Sequence, residues 1–363
     1  MAALVGYTPP KLPLGFDPET KPVLKKLAAA RSALAELKGA ASSVPNEGIL
    51  LNTLSLQEAK DSSAIENIIT THDDLYRSDA VAARFASLAA KEVYSYARAL
   101  REGYQAVRQT GLIPSNDILS IQATLEENQA GFRKLPGTAL KNDRTGEVVF
   151  TPPQSHDEIV DLMRNLEAFM NDDGMSDLDP LVKMAIMHHQ FETIHPFYDG
   201  NGRTGRILNI LYIIRSGLLD YPVLYLSRYV NQNKADYYRL LQAVRDSGAW
   251  EEWILWMLEG VEQTAGQTTR LVQRIRTLMQ EIKFKMRNEL PRIYSQELLN
   301  NIFSHPYSKI AFVERDVGVS RITATRYLDE LTRIGMMTKV KLGRDNYYIN
   351  RSLMELLGNA QTI

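Results

Sequence analysis

Between His195 and Arg206 the chain reads HPFYDGNGRTGR, which gathers a histidine, a carboxylate, three glycines and two arginines around one change of direction. Those residue types suit a nucleoside triphosphate. Pro196 biases His195 away from helical dihedrals toward extended backbone, so the imidazole is expected to project from a loop. Gly200, Asn201 and Gly202 permit the tight turns that let successive backbone N–H groups converge on an anion. The following run, GRTGRILNILYIIRS, reads as a helix. A phosphate at its N-terminus meets unpaired donors and the positive end of the macrodipole. Arg203 and Arg206 lie three apart, share one side of the first turns and can fork onto phosphate oxygens. Asp199 at the loop edge suits Mg²⁺, which takes one or two carboxylates and completes its shell with phosphate and water. Phe197 reads as an apolar anchor.

The elements that must hold this loop read as mostly helical. Residues 1 to about 20 are proline-rich and read as an extended arm, and a first helix is expected over Lys21 to Leu37, stopped near Gly39. Helical pattern resumes after the SSVPNEG loop and runs to about Asn128, with a break at Gly111 to Ser115. The stretch GFRKLPGTALKNDRTGEVVFTPP differs in kind: a turn cluster at Asn142 to Gly146 precedes the strand VVF, so a β-hairpin is expected near 133–152. Helices are expected from Asp157 to Met170, from Leu181 to the loop, and from Lys234 to about Asn288, as in an all-α bundle. Pro291 opens a change of character. A short helix leads to Gly318, Ser320 caps a second helix ending at Gly335, and two alternating runs flank a Gly-Arg-Asp turn, so residues 291–363 look like a small α+β winged-helix domain.

The 363 residues are 44% hydrophobic, enough for two or three domains and a large core. A net charge of −1 excludes a chain-wide electrostatic attraction to nucleic acid or an acidic membrane. No cysteine is present, so disulfides, thiolate zinc sites and cysteine nucleophiles are excluded. The N-terminal residues lack the basic start and apolar core of a signal sequence, and no run is long enough to span a bilayer; a cytoplasmic protein without membrane contact is the expectation.

The 195–206 string resembles the Fic family signature without a departure: His195, Phe197, Asp199, Gly200, Asn201, Gly202, Arg203 and Arg206 all match. The resemblance implies transfer of AMP from ATP to a Tyr, Ser or Thr hydroxyl of a target protein, which includes the chain itself. It implies His195 as general base, Asp199 as the Mg²⁺ ligand, and Asn201 with the loop amides as donors to the α-phosphate. Arg203 and Arg206 would hold the β- and γ-phosphates, so the nucleotide cradle comprises Gly200, Asn201, Gly202, Arg203, Thr204, Gly205 and Arg206. A base near the nucleophile, charge neutralisation and positioning are what phosphoryl-type transfer asks of a protein.

Upstream, DSSAIENIITT places Ser62 and Glu66 four apart, on one face of a helix whose Ile65, Ile68 and Ile69 are expected to seat it on the core. This resembles the inhibitory helix of many Fic proteins, with Ser62, Glu66 and Asn67 as its motif. Glu66 is then expected to pair with Arg206, blocking productive ATP; in some relatives the same glutamate serves AMP removal. The hairpin resembles the family flap that registers a target segment by main-chain pairing, with Val148, Val149 and Phe150 as candidates and Val149 also facing the base. Tyr237 resembles a tyrosine that packs on adenine. The domain reading is therefore an arm and helix over 1–45, a Fic catalytic domain over 46–288 with its inhibitory helix near 60–70, and the winged helix over 291–363. A second copy of the chain is a candidate partner.

Two other readings compete. His188, His189, Glu192 and His195 invite a zinc site, but their spacing matches no standard pattern and Pro196 turns His195 away; His72, His156 and His305 form no constellation. DNA is the partner considered for residues 291–363, through Arg321, Thr323, Thr325 and Arg326 on the second helix and Lys339, Lys341 and Arg344 on the wing, although Asp329 and Glu330 dilute that charge.

Overall fold

The computed structural model describes residues 6–78, 85–141, 145–342 and 345–358. The first helix, α1 (Lys21–Ser42), starts where the Thr20 side chain accepts from the Val23 N–H. It runs through Gly39 instead of stopping there. A mid-helix glycine costs only about 1 kcal/mol, and the buried stripe Leu34, Leu37 and Ala41 continues past it. Next come α2 (Glu47–Ile65), the short α3 (His72–Arg77), α4 (Leu88–Thr110) and α5 (Ser115–Glu126), so the helical tract breaks at three places, not one.

The hairpin forms as β1 (Leu140–Lys141) and β2 (Val148–Phe150), antiparallel, with 142–144 of the expected turn cluster outside the described residues. Helix α6 (His156–Asn171) leads to α7 (Pro180–Ile194) and α8 (Asn201–Arg215), which pack on each other at the centre. Both are buried almost all round, which is why neither shows an amphipathic stripe in sequence. Helices α4 and α5 cover α8, and α6 covers α7. Beyond them lie α9 (Leu226–Gln232), α10 (Lys234–Ser247) and the long α11 (Trp250–Glu289), along which α1 packs.

The C-terminal unit opens with α12 (Gln296–Ser304), which the sequence did not suggest and which packs on α2. A short β3 (Tyr307–Ser308) precedes α13 (Ile310–Val317) and α14 (Arg321–Arg333). The Ser320 side chain caps α14 by accepting from the Thr323 N–H. Strands β4 (Thr338–Leu342) and β5 (Asp345–Ile349) pair antiparallel with Val340 opposite Tyr347, and β3 joins the far edge of β5. Helix α15 (Arg351–Gly358) then returns to α11. The fold is thus mainly α with two small antiparallel sheets. Among the described residues no helix is long and apolar enough to cross a membrane.

Candidate active site

His195 ends α7 in the left-handed region, φ 48° and ψ 60°, its N–H donating to the Phe191 carbonyl at 2.9 Å. The expected extended backbone is therefore wrong. Proline bars its predecessor from right-handed helix, and the left-handed region meets that constraint while closing the helix. Arg133, which sequence reasoning missed, fixes this end: its Nε donates to the His195 carbonyl at 2.8 Å and its Nη2 to Ile194 and Pro153 carbonyls. A cation on the last carbonyls of a helix also meets the negative end of its dipole.

After the turn, Phe197 is buried against Phe132 and Phe191. The Asn201 carboxamide clasps the loop, accepting from the Phe197 N–H and donating to the Phe197 carbonyl, both at 2.9 Å. These two bonds hold the shape of the loop. Gly200 takes φ 77° with its N–H on Asp199 Oδ1 at 2.7 Å, and a Cβ there would run into Glu126. Thr204 is buried, its N–H on the Gly200 carbonyl at 2.9 Å.

Both arginines are held by carboxylates. Arg203 donates to Glu126 at 2.8 Å and Glu92 at 3.2 Å, two partners with no local signal in the sequence. Arg206 is buried and donates from Nε to Ser62 Oγ at 2.8 Å, and from Nη2 to the Ser62 carbonyl at 3.0 Å and to Glu66 Oε1 at 2.8 Å. Burial pushes the Glu66 carboxyl up, but the charge and hydrogen bond of Arg206 outweigh it and hold it below the usual carboxylate range. A Cβ on Gly202 would collide with Glu66.

The expected helix through Glu66 ends earlier, at Ile65. Asn67 has φ 62°, its N–H donates to Ala64 and the Ile68 N–H to Ser63, a Schellman closure that needs a left-handed residue. That is the physical use of asparagine at 67. Of the three isoleucines only Ile65 seats the segment; Ile68 is half-buried and Ile69 is 77% exposed. The underside of α2 is polar and buried. Glu58, pushed up to about 7 by burial, accepts from Tyr96 and Ser227, and Asp61 pairs with Arg228 at 3.4 Å.

A cavity of about 790 Å³ opens beside this loop, lined by Glu66, Asn67, Glu192 and His195, by Val149 and Phe150 of β2, and by α10. Burial pushes the His195 imidazole down to about 4, helped by Arg133 and Arg245 and opposed by Glu66 and by a hydrogen bond to the Glu192 backbone. The imidazole is therefore neutral at pH 7. Val148 and Val149 are half-exposed, whereas Phe150 is turned inward under Arg245, whose guanidinium lies 3.8 Å from the ring centre. Arg245 also donates to Thr193 at 3.1 Å, tying the hairpin through α10 to α7.

Tyr237 does not face the cavity. It is buried against Trp253 and Trp256, and the neighbouring Tyr238, 47% exposed, lines the cavity instead. His188 Nδ1 accepts from the Asn209 amide, leaving Nε2–H to donate to the Tyr237 hydroxyl at 2.9 Å; His189 donates to the Leu241 carbonyl. Among the described residues no cluster of His, Asp and Glu could hold a metal by itself. At α14, Arg321 lies 3.7 Å from Glu314 and Lys339 is spent on Asp329 at 2.8 Å, while Ile322 is 84% exposed. Arg344 is outside the described residues.

Residues 24–105 match the Fic/DOC family N-terminal domain, 112–213 the Fic/DOC family, and 278–353 the C-terminal domain of the protein adenylyltransferase SoFic-like group. The chain is 32% identical over 109 residues to protein adenylyltransferase fic-1 of Caenorhabditis elegans, covering 29% of this chain and 21% of that protein. It is 30% identical over 132 residues to protein adenylyltransferase Fic of Drosophila melanogaster, covering 35% of this chain and 25% of the relative. The chain thus spans about a quarter or less of these curated relatives. In structure it resembles a Fic family protein from Desulfovibrio desulfuricans, TM-score 0.57 at 18% identity, over 94% of this chain and 98% of that one. A Fic domain containing signaling protein from Bacteroides thetaiotaomicron gives TM-score 0.53 at 19% identity, over 69% and 95%.

Proposed function

The chain belongs to the Fic/DOC family, and from that premise we propose that it is a protein adenylyltransferase, moving AMP from ATP to a Tyr, Ser or Thr hydroxyl of a target protein. The observation that carries the reading is His195 at the rim of a cavity, directly before a helix N-terminus whose Arg206 is held by Ser62 and Glu66. In this reading the neutral imidazole takes the hydroxyl proton. The new oxygen–phosphorus bond forms at the α-phosphate as the bond to the β-phosphate breaks, and pyrophosphate leaves. The first-turn amides of α8, Arg203 and Arg206 neutralise the departing charge.

The donor set fits Mg²⁺, because an exposed Asp199 carboxylate stands at that N-terminus and the ion is usually completed by phosphates and water. When bound, it would neutralise phosphate charge. Glu66 keeps the enzyme off by withholding Arg206, and the same carboxylate suits a water-directed reverse reaction that removes AMP. The half-exposed β2 edge is where a target segment would pair, and self-modification is included in this reading.

A test supplies α-labelled ATP, alongside other labelled nucleotides, to purified wild type, Glu66→Gly and His195→Ala with cell lysate. Label on protein hydroxyls from ATP, raised in Glu66→Gly and absent in His195→Ala, supports the proposal. Equal incorporation by all three refutes it. A second reading, DNA contact through residues 291–363, draws on the exposed start of α14, which carries Arg321 and Arg326. It requires duplex affinity that weakens steeply with salt.

A further inference from the structure

Glu192 lies one turn before His195 and has no part in the mechanism above. The residue is only 8% exposed, it lines the same cavity as His195 and Glu66, and its Oε1 has no hydrogen-bond partner. A buried carboxyl oxygen left unpaired is costly unless a bound species completes it. Its position points to which species. A Cβ on Gly205 would lie 2.6 Å from Glu192 Oε1, and a Cβ on Gly202 would meet Glu66 Oε1. Positions three apart on a helix sit about 5–6 Å from each other. Both carboxyls therefore point at the first turns of α8, Glu66 at Gly202 and Glu192 at Gly205, where Phe191 and His188 of α7 also pack.

Resting on the proposed ATP site, we propose that Glu192 is a further phosphate-binding residue that works in its acid form, donating its carboxyl O–H to a phosphate oxygen seated in the cavity that Glu192, Glu66 and His195 share. An ionised carboxylate there would repel phosphate; a protonated one supplies a donor. The surroundings favour the proton: burial and the Glu66 charge push Glu192 up, against Arg206 and Arg245, to about 7. Facing it are Arg206 from α8, Glu66 from the end of α2, and Tyr237 and Arg245 from α10. Lys141 lies across the cavity on β1, and His188 and His195 on its own helix are neutral at pH 7. A bound triphosphate adds negative charge and strengthens the preference for the acid.

The test measures MgATP binding by calorimetry from pH 5.5 to 8.5 in the full-length Glu66→Gly protein, and in the same protein carrying Glu192→Gln or Glu192→Leu. The nucleotide's own protonation is common to all three and cancels in the comparison. With Glu192 present, Kd should rise toward tenfold per pH unit above the carboxyl's titration, with net proton uptake seen across buffers of different ionisation enthalpy. Glutamine, a permanent donor, should keep the low-pH affinity and abolish both the pH slope and the uptake. Leucine should lose about tenfold or more at low pH. Glu192→Gln weakened as much as Glu192→Leu, or Glu192→Leu binding as the parent does, overturns the role of Glu192 alone. MgATP failing to bind Glu66→Gly at any pH overturns the ATP site itself.

Discussion

The Glu66 carboxylate occupies the volume that a side chain at position 202 would need, so the glycine there and the clamp on Arg206 are one arrangement. On the proposed reading the glycine leaves room for phosphate, and that room is taken here by the carboxylate that caps α2.

Glu66→Gly removes a charge-assisted hydrogen bond from Arg206, a contact of about 1.5–3 kcal/mol. ATP-dependent labelling should rise by about tenfold or more. Ser62→Ala leaves the Ser62 carbonyl and Glu66 in place and should give only a few-fold rise. Initial rates with α-labelled ATP check both, and a Ser62→Ala rise larger than that of Glu66→Gly would contradict the assigned clamp.

His195 is held near 4 by burial and the charges of Arg133 and Arg245, so its neutral form persists well below the ordinary histidine range. In Glu66→Gly the carboxylate that opposes this is gone. The kcat/KM profile should therefore show no acid limb near pH 6.5, because that quantity reports the free enzyme. An acid limb near 6.5 in Glu66→Gly would place the imidazole in solvent and refute the buried geometry.

Asn201→Ala deletes two hydrogen bonds to the Phe197 backbone, and Phe197→Ala empties a pocket between Phe132 and Phe191. Thermal or urea unfolding should show losses of about 1–3 kcal/mol for the first and about 3–5 kcal/mol for the second. MgATP affinity should fall in Asn201→Ala even where the protein is fully folded. Unchanged affinity would show that the clasp does not set the loop.

His188 and His189 are pushed down to about 3 by burial, so the folded protein refuses protons that the unfolded chain accepts below about pH 6.5. Their contribution is complete above that pH and is lost as pH falls toward 3, by up to about 1.4 kcal/mol per unit for each. Glu58 and Glu192, raised to about 7, run the other way: their contribution is complete below about 4.5 and is lost as pH rises through 7. The opposing slopes partly offset between 4.5 and 6.5. The unfolding midpoint should decline gently over that interval and steeply below it; a flat midpoint down to pH 3.5 would contradict the buried neutral histidines.

The 195–206 loop was legible because its chemistry is contiguous: turn residues, carboxylate and arginines follow one another within four helical turns' worth of chain. Ser320 and Gly318 likewise announced the turn between α13 and α14, since caps and left-handed closures are local. What stayed hidden depends on distant partners. Arg133, Glu126 and Arg245 are ordinary charged residues until the fold brings them against His195, Arg203 and Phe150. Tyr237 and Tyr238 are adjacent aromatics, and only the packing of α10 on Trp253 decides which one turns inward. Glu192 stood in view at i−3 from His195, but as part of a failed metal pattern; its unpaired oxygen could not be seen without the Gly205 face.

The paired bonds between Asn201 and Phe197 have one further effect, on timing. Because the turn is already closed on itself, an arriving nucleotide has no floppy segment to order there, and the entropy of shaping the cradle has been spent during folding. On the proposed inhibition, what has to move is the carboxyl-bearing cap at the tip of α2, and the waiting time for the first productive encounter would follow how often that tip lifts.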